Sequence, residues 1–245
     1  MTNGDCLPVR QVGCKFQTGG AENEKFKAKQ VHAGDRRNFI GGSDARIAMG
    51  ADEKALLNLW QEKRGERQPL DLSDELIPQL GLATEELNRR WYEHHSGNQV
   101  GDVQRRLFHR TIPFMAATLD GLIKPAGAVF EAKFMLPWSF SVEGAIEKHM
   151  AQLQHNMLVA GTKAAVLSII TGDGKWAEVS VESDPVYQTV LLAAESAFWR
   201  AVKTGERPHL FDHEPPKPRV EAVRIVDMTS SNSWSEFATI FRETR

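Results

Sequence analysis

This 245-residue sequence has only two cysteines, Cys6 and Cys14. Both lie in a polar N-terminal segment, so even paired they cannot staple a core. No CxxC motif or nearby histidine pair gives them metal-site company. Free thiols in a reducing compartment are the expectation. Long hydrophobic runs are also missing, since none approaches the ~20 residues that span a bilayer. The opening MTNGDCLPVRQVG is polar and has no apolar stretch of the kind a signal peptide needs. A cytoplasmic location without a membrane partner is therefore expected. Nor is there an excess of one charge: a formal net charge of -2 gives no support for a protein that coats nucleic acid by bulk electrostatics. No internal repeat is evident.

With 41% hydrophobic and 25% charged residues, the chain has the composition of an ordinary globular protein. Its length suits one sizeable domain, alone or with appendages. Residues 1–35 are rich in Gly, Lys, Glu, Asn and Gln and show no sustained period, which predicts a flexible extension. The domain is expected over 36–208 and a C-terminal tail over 209–245. Charge within the domain is uneven. Arg36, Arg37, Arg46, Arg89, Arg90, Arg105, Arg106 and Arg110 all precede the most informative stretch, leaving room for a local basic groove.

That stretch is FMAATLDGLIKPAGAVFEAK, residues 114–133. It reads as two short strands joined by a turn containing Pro125 and Gly127, with Asp120 closing the first apolar run. Alternation along the second strand puts Glu131 and Lys133 on one face and Ala132 on the other. On an exposed strand such a pair is a solvated ion pair of little consequence. Here Ala128, Val129, Phe130, Ala132, Phe134 and Met135 form a near-continuous apolar run, the pattern of a strand buried on both faces. Charges in such a run need a partner or a metal. A divalent cation held by Asp120 and Glu131, with Lys133 beside it, is the simplest arrangement.

Other elements are signalled locally. Residues 52–65 carry an apolar helical stripe with acids at the start and Lys63, Arg64 and Gly65 at the end; Trp60 belongs to its core face. A Pro/Asp-rich link over 68–78 precedes a helix over 80–95 with Leu82, Leu87, Trp91 and Tyr92. On it Glu85 and Glu86 lie about 100° apart, so only one can face a site squarely. Two glutamates on a helix are more often just solvated. Strand character marks 104–112. Pro137 ends the Glu131 strand, and a helix over 142–160 follows, stripe Ile146, Met150, Leu153, Met157 and Leu158. Gln152 and Gln154 face different directions on it, and His149 lies one turn before Gln152. A hairpin over 164–181 turns at TGDG. Asp184-Pro185 caps a last long helix ending near Gly205. The tail is proline-interrupted and closes on an amphipathic piece with Trp234, Phe237, Ile240 and Phe241. In RRNFIGGSDARIAMG, Ser43 is the expected N-cap of a short helix. Glycines and arginines at a helix start make either an ordinary beginning or a phosphate site. The order of elements implies an α/β or α+β domain with a mixed central sheet and helices on its faces.

The pattern TLDG, a spacer, then EAK resembles the metal-binding core of the PD-(D/E)XK nucleases and, within them, the YqaJ-type viral recombinase and lambda-type exonuclease family. IGGSD at 40–44, GLATE at 81–85 and QLQH at 152–155 appear in the family's order. The resemblance covers roughly 36–208. It implies a restriction-endonuclease-like core that binds Mg²⁺, or Mn²⁺ in its place, through Asp120, Glu131, the Ala132 carbonyl and Glu85. Lys133 and Gln152 complete the catalytic set. An arginine, Arg36 by its spacing to Ser43 or adjacent Arg37, would hold a terminal 5′-phosphate, with Ser43 and Gln154 as further substrate contacts. The residue three before Gln152 is often tyrosine in the family, whereas this chain has His149. His155 is expected to be a structural or surface histidine. The implied substrate is duplex DNA degraded from a 5′ end in a phage-infected or prophage-bearing host. A single-strand annealing protein is the implied partner and a ring trimer the implied assembly. A related endonuclease and a non-catalytic DNA-binding accessory module are the alternatives; the intact Asp120, Glu131 and Lys133 set argues against the module.

Overall fold

The computed structural model describes residues 36–212 and 220–227. The expected N-terminal extension and the amphipathic piece around Trp234 lie outside the described residues. The elements in chain order are α1 (Gly42–Ala48), α2 (Glu53–Arg64), α3 (Leu76–Ser96), β1 (Gln99–Gly101), β2 (Arg105–Phe108), β3 (Ala116–Leu119), β4 (Gly121–Lys124), β5 (Ala128–Met135), α4 (Val142–Ala160), β6 (Ala164–Thr171), β7 (Lys175–Glu182), α5 (Pro185–Thr204) and β8 (Val220–Asp227). Among the described residues no helix is long and apolar enough to cross a membrane.

Six strands form one mixed sheet in the order β1-β4-β5-β6-β7-β8, and β2 and β3 pair separately. Only β5 and β6 run parallel within the large sheet, because α4 carries the chain back between them. The β5 sequence explains its central place. Val129, Glu131 and Met135 face α4, while Ala128, Phe130 and Ala132 face the cluster containing Tyr92 of α3. With helices on both faces, the strand is apolar on both. Burying a side chain such as Phe130 contributes roughly 1.5–3 kcal/mol. A third cluster joins α1, α2 and α5 through Ile40, Leu56, Leu59, Phe198 and Val202.

Local signals place most helix ends. Asp52 caps α2 and Gly65 ends it in the left-handed conformation. Ser141 caps α4, and Asp184 caps α5 with Pro185 in the first turn. Trp60 packs inward and donates its indole N–H to Ala201 O at 3.0 Å.

Four features differ from the sequence expectation. Ser43 is not an N-cap: Gly41 is, and Asp44 receives the Gly41 N–H at 2.9 Å. The helix starts two residues early because Asp44 is itself anchored by Lys63. α3 begins at Leu76, since Pro78 sits in the first turn, where a missing N–H breaks no helical bond. Leu82 and Leu87 of this helix are exposed. The run 114–124 is two strands, because the chain changes sheets at Asp120. Finally, Val220–Asp227 of the expected tail is a strand paired antiparallel with β7.

Candidate active site

Asp120 lies at the β3–β4 break, and its Oδ2 accepts the main-chain N–H of Ala132 at 2.9 Å. This bond brings it against the middle of β5. There Glu131, 1% exposed, points to the same face as Lys133, as strand alternation requires. Three donors converge on Glu131. Lys133 Nζ and Gln152 Nε2 donate to Oε1, the latter at 2.5 Å, and Asn156 Nδ2 donates to Oε2 at 3.0 Å.

The electrostatics of the cluster follow from burial and crowding. Burial, then the nearby Asp120 carboxylate, pushes Glu131 up to about 7 against the pull of Lys133. Burial also raises Asp120, with Lys133 and the Ala132 N–H working the other way. For Lys133 burial acts downward, but Glu131 and Asp120 outweigh it and hold the amine above its ordinary range. An ammonium held there counters the charge of the two carboxylates.

Glu85 is the member of its pair that faces this cluster. Gln104 Nε2 donates to Glu85 Oε1 at 2.6 Å, and burial followed by the Asp120 charge raises the Glu85 carboxyl. Glu86 instead makes an exposed pair with Arg90 at 2.5 Å. Arg46 acts on both Lys133 and His149, and Arg89 acts on Glu85. Of the expected basic residues, then, Arg46 and Arg89 are near the acids, while Arg90 and Arg105 pair at the surface.

Around α1 the arginines divide. Arg36 is half exposed and donates to Ser43 Oγ at 3.2 Å and Asp44 Oδ1 at 3.4 Å. Arg37 packs against Gly65 with its buried Nε unpartnered among the described residues. Lys63 fixes this segment by donating to Arg36 O, Phe39 O and Asp44 Oδ2 at 2.7, 2.7 and 2.6 Å.

Gln154 does not join the site. It is fully buried, donates to Glu182 O at 2.8 Å and accepts the Asp184 N–H at 3.0 Å, so it links α4 to the start of α5. His155 is structural and buried rather than at the surface, bridging Glu195 Oε1 at 2.7 Å and Ala116 O at 2.9 Å. His149 is buried, with Nδ1 unpartnered among the described residues, and burial first, then Lys133 and Arg46, pushes its imidazole down to about 3.

Three residues were missed in the sequence. Asn156 stands four positions after Gln152, about 40° round the helix, whereas Gln154 is about 200° away; that count alone selects Asn156. Asn88 follows Glu85 by nearly one turn and donates to Lys133 O at 3.2 Å and Ser168 O at 2.8 Å. Gln104 reaches the acids from a segment where Asp102 and Gln104 both take positive φ, 52° and 55°, a conformation that no local pattern announced.

The donors are all hard oxygens, which suit Mg²⁺ or Mn²⁺ over zinc. Among the described residues no three His, Cys, Asp or Glu side chains form a ready cation cage. Mg²⁺ does not need one, since it binds through one or two carboxylates and keeps water or phosphate for the rest. Two carboxylates that burial raises, one of them pushed further by the other and both offset by one ammonium, fit such a cation.

A family profile described as "YqaJ-like viral recombinase domain" matches residues 32–163. The uncharacterized protein YqaJ of Bacillus subtilis (strain 168) is 28% identical over 212 residues, 81% of this chain and 66% of that protein. The match thus spans just under two thirds of that relative. The fold is similar to that of an alkaline exonuclease, LHK-Exo, from Laribacter hongkongensis, with a TM-score of 0.58 at 18% identity over 70% of this chain and 91% of that one. Its complex with dAMP gives the same values. A phage related exonuclease from Haemophilus somnus 129PT aligns with a TM-score of 0.50 at 13% identity over the same shares, 70% and 91%.

Proposed function

Because the chain belongs to the YqaJ-like viral recombinase domain family, we propose that it is a Mg²⁺-dependent exonuclease that hydrolyses duplex DNA from a 5′ end. The observation that carries this reading is the meeting of Asp120, Glu131 and Lys133 in one buried cluster, with Glu85 bordering it. A binding module has no use for two carboxylates destabilised by burial beside a lysine. The exonuclease names of the structural neighbours agree with it.

Asp120, Glu131 and the Ala132 carbonyl would hold the cation, with Glu85 bordering them. When bound, Mg²⁺ would supply charge neutralisation at phosphorus and acidify water at neutral pH. The Lys133 ammonium lies where it can meet the charge that develops on the phosphoryl oxygens. Glu85, its carboxyl raised and its orientation set by Gln104, is the group to orient the attacking water and take its proton. Gln152 holds Glu131 as a neutral donor. Arg36, beside Ser43, would bind the terminal 5′-phosphate, and Arg37 is its alternative. In this proposal the remaining single strand passes to an annealing partner, and the chain works as a ring of copies in a bacterial cytoplasm.

The test is a linear 5′-phosphorylated duplex beside a covalently closed circle, with Mg²⁺ or with chelator. Loss of the linear DNA from its 5′ ends in Mg²⁺ alone supports the reading. Cleavage of the circle would make the protein an endonuclease, and an inert protein would overturn the enzymatic reading.

A further inference from the structure

α4 turns one stripe toward Glu131. His149, Gln152 and Asn156 recur at the spacing of a single helix face. Asn156 is only 1% exposed. Its Nδ2 serves Glu131 Oε2, while Gln152 and Lys133 share Oε1. On its other side Asn156 meets α1. A Cβ added at Gly42 would lie 2.5 Å from Asn156 Oδ1 and 3.2 Å from its Cγ, with Gln152 Cγ at 3.0 Å. Gly42 therefore lets α1 approach α4 as closely as it does, and the Asn156 amide is held between them.

We infer that Asn156 is a positioning residue: wedged between Gly42 and Glu131, it fixes the carboxylate beside Asp120 and ties α1, with Ser43 and Arg46, to the acidic cluster. The inference rests on the metal-dependent reading above. A carboxylate that loses the donor to one oxygen in a buried site turns toward the remaining donors, here Lys133 and Gln152 on the other oxygen. It would then present its free edge differently to a cation. Adding a methyl at Gly42 disturbs the same amide from the opposite side.

The experiment compares N156A, G42A and the double variant in the full chain. Steady-state cleavage gives kcat and KM, calorimetry without DNA gives Mn²⁺ affinity, and melting reports folding. Each single variant is expected to lower kcat roughly ten- to a hundredfold, the size of a lost hydrogen bond to a charged group. KM should stay within about twofold, and Mn²⁺ should bind more weakly. The double variant should be no worse than N156A, because the atom nearest a Cβ at position 42, Asn156 Oδ1 at 2.5 Å, is gone with the amide. If N156A does not fold, N156S and G42A support the same comparison. A folded N156A with wild-type kcat and Mn²⁺ affinity would overturn the inference, as would independent, multiplying effects of the two sites. A wild-type chain that neither binds Mn²⁺ nor cleaves would instead sink the nuclease reading itself.

Discussion

The carboxylate of Asp120 accepts the main-chain N–H of Ala132 at 2.9 Å, so an acid from the end of one strand is fastened between Glu131 and Lys133 of another. The bond uses backbone that β5 leaves free at that point, and it sets two acids against one ammonium in a buried place. The chemistry proposed for the chain depends on that crowding.

Replacing Asp120 by Asn or Lys133 by Met should abolish cleavage, with kcat falling by about a thousandfold or more as expected for loss of a principal electrostatic group. Circular dichroism should be unchanged and duplex binding, followed by fluorescence anisotropy, retained. Full activity in either variant would remove these residues from the mechanism.

Glu131 predicts a pH dependence whose sign can be worked out. The unfolded carboxyl releases its proton near 4.5, whereas the folded one keeps it to about 7. Between those values the folded state binds more protons, so the Glu131 contribution to stability falls as pH rises through this window. The loss approaches the order of 3 kcal/mol above it. In chelator, the melting temperature of E131Q relative to wild type should therefore climb from pH 4.5 to pH 8. Mn²⁺ should raise the wild-type melting temperature most at the alkaline end. A difference that does not vary with pH would contradict the assignment.

Lys63→Met should destabilise the domain by about 3–5 kcal/mol, because it strands the buried Asp44 carboxylate. The same change frees the backbone carbonyls of Arg36 and Phe39. Urea unfolding measures it, and a loss below about 1 kcal/mol would fit only a surface pair.

Arg36→Ala should erase any preference for a 5′-phosphate over a 5′-hydroxyl end, a loss of roughly tenfold or more for a charge-assisted contact. Arg37→Ala is the control, since Arg37 packs on Gly65 instead of Ser43. Initial rates on the two ends decide it, and the opposite result would transfer the role to Arg37.

His149 should stay neutral through the working range, because burial and the neighbouring Lys133 and Arg46 push it down to about 3. Its imidazole resonances in NMR should not shift between pH 5 and 8; a midpoint in that range would show that the pocket is wetter than the structure indicates.

Much of the domain was legible because its signals are local. Asp184-Pro185 and the glycines at 65 and 205 marked helix ends through capping and left-handed geometry that a few residues set by themselves. Alternation on β5 put Glu131 and Lys133 together, and helix geometry let only one of Glu85 and Glu86 face the site. Ser43 failed as a cap because the competing Asp44 takes its strength from Lys63, nineteen positions along the chain. β8 was hidden because Val223 and Ile225 are exposed and the strand exists only by pairing with an edge.

The sequence by itself determined which residues carry charge and which backbone faces they share, since both follow from side-chain identity and fixed periods of 2 and about 3.6 residues. Only the tertiary structure decided which donor each Glu131 oxygen receives, how far burial and Asp120 raise that carboxyl, and that the Asn156 amide sits against Gly42 of α1. Those outcomes depend on desolvation and on angles between elements distant in the chain, and no local pattern encodes either.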